Sequence, residues 1–182
     1  MAINRDQLGV LRGMTTGAAI SALGLAWGLA TNPFDLAGQV SLDHRLELGL
    51  AADLGLALWL AVSIGWMARL RFVSSADLQG SGVGVATPRA RILQAVLQNS
   101  LEQIGLAVLV HLLWIVLMPA AWLAAVPVAS GLCLVGRIGF GWGYGKGAAQ
   151  RSLGFALSFY PSLFMLLLMV AVLLIRRLPG GW

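Results

Sequence analysis

The chain has 182 residues, 59% of them hydrophobic and only 10% charged, with a formal net charge of +5. Soluble domains carry about 25% charged residues, so this composition excludes one and indicates an integral membrane protein. The basic excess does not mark a nucleic-acid binder, because the cations cluster at the ends of apolar segments, where membrane proteins collect them.

Five segments are long and apolar enough to cross a hydrocarbon core of about 30 Å. The first, Gly13–Ala30, is rich in Gly, Ala and Thr. Its length, and the lack of an A-x-A-like cleavage signal after it, make it a retained helix rather than a signal peptide. The pairs Gly13/Gly17 and Gly24/Gly28 suit close packing against protein. Thr31–Glu47 is a polar connection with room for a short interfacial helix leading into the second span, Leu48–Leu70. Asp53 lies near the start of that span, within reach of the interface.

Arg71–Pro88 is the longest polar connection and is glycine-rich at residues 80–84. Thr87-Pro88 supplies a helix start with Pro at the first helical position. The third span, Ile92–Met118, turns tightly at Pro119 into the fourth, Ala121–Gly141. The fifth is Phe155–Ile175. Pro127 and Pro161 are predicted to kink the last two. No alternating strand pattern occurs, and backbone groups in lipid must be bonded internally, so the fold class is all-α, a transmembrane helical bundle.

With five spans, Arg5, Arg12, Arg69, Arg71, Arg89, Arg91, Lys146 and Arg151 share one side, and Arg45, Arg176 and Arg177 the other. The positive-inside rule then places the N-terminus and the arginine-rich connections in the cytoplasm, across what reads as a bacterial inner membrane. Cys133 is the single cysteine and reads as a packing residue; with His44 and His111 far apart, no metal-ligand spacing exists.

Function is sought where polarity is most costly. The third span carries Asn99 and Glu102 on one helical face, with Arg91, Gln94, Gln98 and Glu102 forming a stripe beside them. Arg137 on the fourth span is the natural partner for Glu102. Seven residues on, Tyr144 shares the face of Arg137 at about 10 Å. Gly143, Gly145 and Gly147 should end the helix, so that Arg151 opens the fifth span and turns back toward the pocket. These glycines fit neither a Walker loop nor a G-x-G-x-x-G turn; Gly139/Gly143 and Gly141/Gly145 suit close packing instead. A transporter using Glu102 and Asp53 as a proton relay is a further reading of the same charges.

Asn99-Ser-Leu-Glu102, then Arg137 with Gly143-Tyr144, then Arg151-Ser152, resemble the MAPEG family (membrane-associated proteins in eicosanoid and glutathione metabolism). The resemblance covers roughly Leu48–Ile175. It implies a four-helix bundle at residues 48–182, preceded by an additional transmembrane helix and connection at residues 1–47, and assembly as a homotrimer in the lipid bilayer. Glutathione would be a co-substrate held by Asn99, Glu102, Arg137, Tyr144 and Gln98. Arg151, with Tyr144, would be catalytic, stabilising the thiolate for transfer to, or reduction of, a lipophilic substrate. Thiolate is the nucleophile, and a guanidinium lowers a thiol pKa from about 8.5. The family commonly carries Arg where this chain has Ala95, a polar residue at Leu97, and Tyr at Phe140. Those departures and the extra helix support an alternative: a non-catalytic structural or accessory subunit of a larger membrane complex. No metal and no nucleic acid are expected.

Overall fold

The computed structural model describes residues 4–38, 41–80 and 84–177. It contains six α-helices and no strand among those residues: α1 (Arg5–Thr31), α2 (Leu42–Ala52), α3 (Leu54–Val73), α4 (Pro88–Leu117), α5 (Ala125–Gly143) and α6 (Ala148–Arg177). All but α2 belong to segments long and apolar enough to cross a membrane. The glycine-rich centre of the α3–α4 connection, residues 81–83, lies outside the described residues, as do the last five residues of the chain.

Helix starts follow capping chemistry. Asn4 and Gln7 form a reciprocal capping box at α1, satisfying two orphan donors at once. Thr87 caps α4 by accepting from Ala90 N–H at 3.2 Å, with Pro88 at the first helical position. Pro127 is the third residue of α5. The expected kink there is therefore corrected: in a first turn the missing N–H has no intrahelical partner to lose. α6 is assigned as one helix through Pro161.

The second span also differs from expectation. It breaks after Ala52, and α3 starts at Leu54. Asp53, the residue between, is turned into the protein and is only 7% exposed. Its carboxylate accepts from Ser130 Oγ on α5 and contacts His111 Nδ1 on α4 at 2.9 Å. A buried carboxylate needs such partners, so three helices are fastened at the point where α2 turns into α3.

Packing fixes the order of the helices. Along α1, Gly9, Gly13 and Gly17 lie against Ala149, Ser152 and Ala156 of α6, so these two helices run parallel. Gly24 and Gly28 lie against Val128 of α5, which runs the other way. α5 and α6 are antiparallel, their backbones brought together at Gly136, Gly143 and Gly154. A Cβ at Gly136 would stand 2.7 Å from the Gly154 carbonyl oxygen, which is why this pair stays without side chains. The glycine pairs of α1 therefore serve its own bundle. The main core, around Trp114, Ile115, Leu123, Val126 and Met165, fills the end opposite the arginine-rich connections.

At that opposite end, Arg45 donates to the Met118 carbonyl at 2.6 Å and Arg176 to the Leu117 carbonyl at 3.3 Å. Both cap the free carbonyls that end α4, a helix with no cation in its own last turn. That gives two of the three arginines on this side a structural occupation.

Candidate functional site

Four of the expected residues, Asn99, Arg137, Tyr144 and Arg151, converge at the arginine-rich end, around the last two turns of α5. Arg137 is fully buried. Its Nε donates to Ser158 Oγ on α6 and its Nη1 to Asn99 Oδ1 on α4, both at 2.7 Å. Its other amino group, Nη2, has no hydrogen-bond partner. A buried donor left unpaired costs about 1–3 kcal/mol, more when charged, so this fork has capacity for one further acceptor.

From Arg137 a ladder of cations and rings leads outward. Arg137 Cζ lies 4.7 Å over the Phe140 ring; Phe140 meets Tyr144 edge-on at 5.3 Å; Arg151 Cζ lies 4.3 Å over the Tyr144 ring. The chain reaches this arrangement because α5 ends at Gly143, a short 3-10 turn covers Tyr144–Lys146, and Gly147 reverses direction at φ 108°, a conformation that favours glycine. Arg151 thus lies in the first turn of α6 and faces back onto Tyr144, as expected from the glycines that end α5. At Phe140 the contact with Arg137 uses the face of the ring, which phenylalanine supplies as tyrosine would.

Glu102 is elsewhere. The expected pairing with Arg137 is corrected: Asn99 and Ser158 take those donors, while Glu102 is exposed on α4 and accepts from Gln98 Nε2 at 2.9 Å. Asn99 and Glu102 share a broad face, but only Asn99 reaches the α5–α6 seam. Gln98 and Glu102 are both exposed on α4 in the single chain.

One cavity borders the ladder, and a second lies at the same end of the bundle. The first, of about 260 Å³, is lined by Val10 and Met14 of α1, Phe140 of α5, and Ala148, Arg151, Ser152 and Phe155 of α6. It is an apolar recess with one guanidinium. The other, of about 440 Å³, lies between the end of α3, the following loop and the start of α4. Arg71, Arg91, Gln94, Ala95 and Gln98 line it, and Arg71 Nη2 donates to Gln94 Oε1 at 3.2 Å. The position lacking an arginine, Ala95, therefore opens onto a cavity that Arg71 enters from α3. In the sequence Arg71 reads as one more cation at a span end; no local signal separates it from Arg69.

The floor of the second cavity is tied down by Asp77, which accepts from Ser74 Oγ, Thr87 N–H and Thr87 Oγ1 at 2.7–2.9 Å. The Thr87 N–H and then the Ser74 hydroxyl hold its carboxyl below the usual carboxylate range. The Asp53–His111–Ser130 cluster is not a Ser–His–Asp triad. Both His111 and Ser130 point at the carboxylate, whereas a nucleophilic serine needs the imidazole between itself and the acid.

A family model for the MAPEG family matches residues 50–171, more than half the chain. The chain belongs to the MAPEG family. No curated protein and no solved structure matches the chain. The matched stretch runs from α2 into α6 and holds Asn99, Arg137, Tyr144 and Arg151; α1 lies outside it. For a MAPEG protein the geometry is coherent: the polar groups at the α4–α5–α6 junction belong to matched residues, and an apolar recess adjoins them.

Proposed function

We propose that this MAPEG protein is a glutathione-dependent transferase or peroxidase acting on lipophilic substrates, with its site at the cytoplasmic side of a homotrimer. The observation that carries the reading is Arg137, fully buried, bonded by Asn99 and Ser158, with its remaining amino group free. A glutathione carboxylate is the kind of acceptor that a half-used guanidinium fork takes. Arg71 and Arg91 line the cavity onto which Ala95 opens and would supply cations in place of an arginine at position 95.

Arg151 is the candidate catalytic residue. Its guanidinium, seated on Tyr144, favours the thiolate over the thiol and so raises the fraction of nucleophile near neutral pH. The recess beside it would admit the apolar part of an electrophile, or of a hydroperoxide, from the bilayer. In transfer, the thiolate sulfur forms a bond to the electrophilic carbon while the leaving group departs with the bonding pair. The glutathione cysteine is not oxidised in this step.

The outward position of Gln98 and Glu102 supports assembly. Both are exposed in a single chain, yet both belong to the expected glutathione contacts. A second copy covering this face of α4 would bring them into a site between subunits.

Calorimetry of the purified protein with glutathione, together with thiolate absorbance, tests the proposal. Binding accompanied by a thiolate signal is expected, with Arg151→Ala keeping binding and losing the signal. The absence of heat at millimolar glutathione sinks it. The alternative, a non-catalytic accessory subunit, draws on Ala95; binding without thiolate in the unaltered protein is its expected outcome.

A further inference from the structure

On the outer surface of the bundle, away from the ladder, the end of α3 and the start of α4 enclose a cleft of about 350 Å³. It is lined by Trp66, Arg69, Leu70 and Val73 of α3 and by Arg89 and Leu93 of α4. Arg69 and Arg71 are two residues apart on α3, so they leave it in different directions. Arg71 enters the interior cavity, and Arg69 lines this outer cleft.

Neither Arg69 nor Arg89 is neutralised. The chain has seven acidic residues, all of them described, and the ion pairs among described residues are His44–Glu47 and His111–Asp53. Two guanidinia from different helices therefore flank one cleft with no carboxylate between them. The rest of the lining is apolar and continues along α3: Trp66 is 47% and Val73 69% exposed. The Trp66 ring is braced edge-on by Trp59 at 5.9 Å. A Trp near a helix end sits at headgroup level in a bilayer.

We propose that this cleft seats one anionic phospholipid, its phosphate between Arg69 and Arg89 and its acyl chains along Trp66, Leu70 and Leu93. The chemistry of the lining selects a lipid over a free anion. A guanidinium pair alone would take any phosphate, whereas the apolar wall below adds stabilisation only if hydrocarbon is attached. Basic clefts between transmembrane helices are where anionic headgroups are recognised. The inference does not depend on glutathione chemistry.

Native mass spectrometry of the full chain in detergent, offered phosphatidylglycerol or phosphatidylcholine, tests it. One phosphatidylglycerol per chain should stay bound at collision energies that strip phosphatidylcholine. Arg69→Gln and Arg89→Gln should each weaken retention about tenfold, the loss of one charge-assisted contact. Arg5→Gln/Arg12→Gln removes two cations from the same end but none from the cleft, and should leave retention unchanged. Equal loss in that control would reduce the effect to general charge attraction and overturn the proposal. Displacement of the lipid by inorganic phosphate would make the cleft a free-anion site and overturn it too. Efficient cross-linking through Trp66→Cys would show the cleft covered by a second copy, with the same consequence. Arg89→Gln lies in the exposed first turn of α4, so one informative variant leaves the packed interior untouched.

Discussion

Arg137 and Arg151 sit on the same ladder of rings yet face different electrostatic tasks. Arg137 is fixed by two hydrogen bonds in a fully buried seam; under the proposed function it would orient an anion. Arg151 is half-buried, stacked on Tyr144 and open to an apolar recess, a setting in which a nearby cation favours a thiolate. Under the proposed function, removing Arg151 raises the thiol pKa back toward about 8.5. The rate of conjugation should then reach its plateau at higher pH in Arg151→Ala than in the unaltered protein. If the midpoint rises by about one pH unit, the thiolate falls about tenfold at pH values below both midpoints. Arg71→Ala should behave differently, weakening glutathione binding about tenfold through loss of one charged contact while leaving the pH midpoint in place. Pre-steady-state thiolate absorbance against pH separates the two. The contrast also explains what could be read from the chain. Asn99, Arg137, Tyr144 and Arg151 stood out because polar side chains in or beside apolar helices need a reason. Arg71 did not, since arginines at span ends are expected for topology alone. The partner of Glu102 is not legible in the sequence, because helical spacing gives the face of a residue but not the neighbour that covers it.

Elements α1 and α6 approach through glycine, alanine and serine, and that makes the extra helix a fixed wall. A Cβ at Gly17 would collide with the Ala156 side chain and approach its backbone to 3.3 Å; at Gly24 it would meet side-chain tips alone, Leu132 at 3.2 Å and Val128 at 3.6 Å. Gly17→Leu should therefore lower stability by about 1–3 kcal/mol, as overpacking does. Gly24→Ala should cost much less, and thermal unfolding in detergent will rank them. Since Val10 and Met14 share the recess with Arg151, Met14→Trp should slow turnover of bulky electrophiles more than small ones. An equal effect on both would remove α1 from substrate selection. The loop between α3 and α4 carries a pH dependence of its own. Asp77 has a depressed pKa, so its contribution is fully present above the unfolded carboxylate value and is lost as pH falls through the lower folded value. Limited proteolysis of residues 74–87 should accelerate at acid pH, and Asp77→Ala should show the fast rate at neutral pH as well. The break at Asp53 is hidden in the sequence for a related reason: Leu48–Leu70 is apolar apart from Asp53, Ser63 and the terminal Arg69, and only His111 and Ser130, 58 and 77 residues away, show that the carboxylate is an internal fastening.

Across the whole molecule, one face is chemically unfinished. Leu101, Glu102, Leu109 and Val116 lie along α4 at spacings that keep them together, and all are exposed in a single chain. Placing a carboxylate on a lipid-facing surface costs about 2.5–3.5 kcal/mol near the bilayer centre on insertion scales. Facing protein, the same carboxylate can be hydrogen-bonded, as Gln98 already begins to do. The exposed stripe is thus better suited to a second copy than to hydrocarbon. The proposed trimer would place α4 against a neighbour and bring Gln98 and Glu102 toward the glutathione. Native mass spectrometry should give three times the 19.2 kDa of one chain. Leu109→Trp, two turns from Glu102 on the same face, should shift the distribution toward single chains by crowding the contact. Leu23→Trp, on the outer surface of α1 where Leu23 is 71% exposed, should leave the trimer intact, because a bilayer accommodates added apolar bulk that a packed interface cannot. A single-chain mass for the unaltered protein would leave Glu102 facing lipid and would remove the shared site, while the binding of glutathione at Arg137 could still be measured in that monomer.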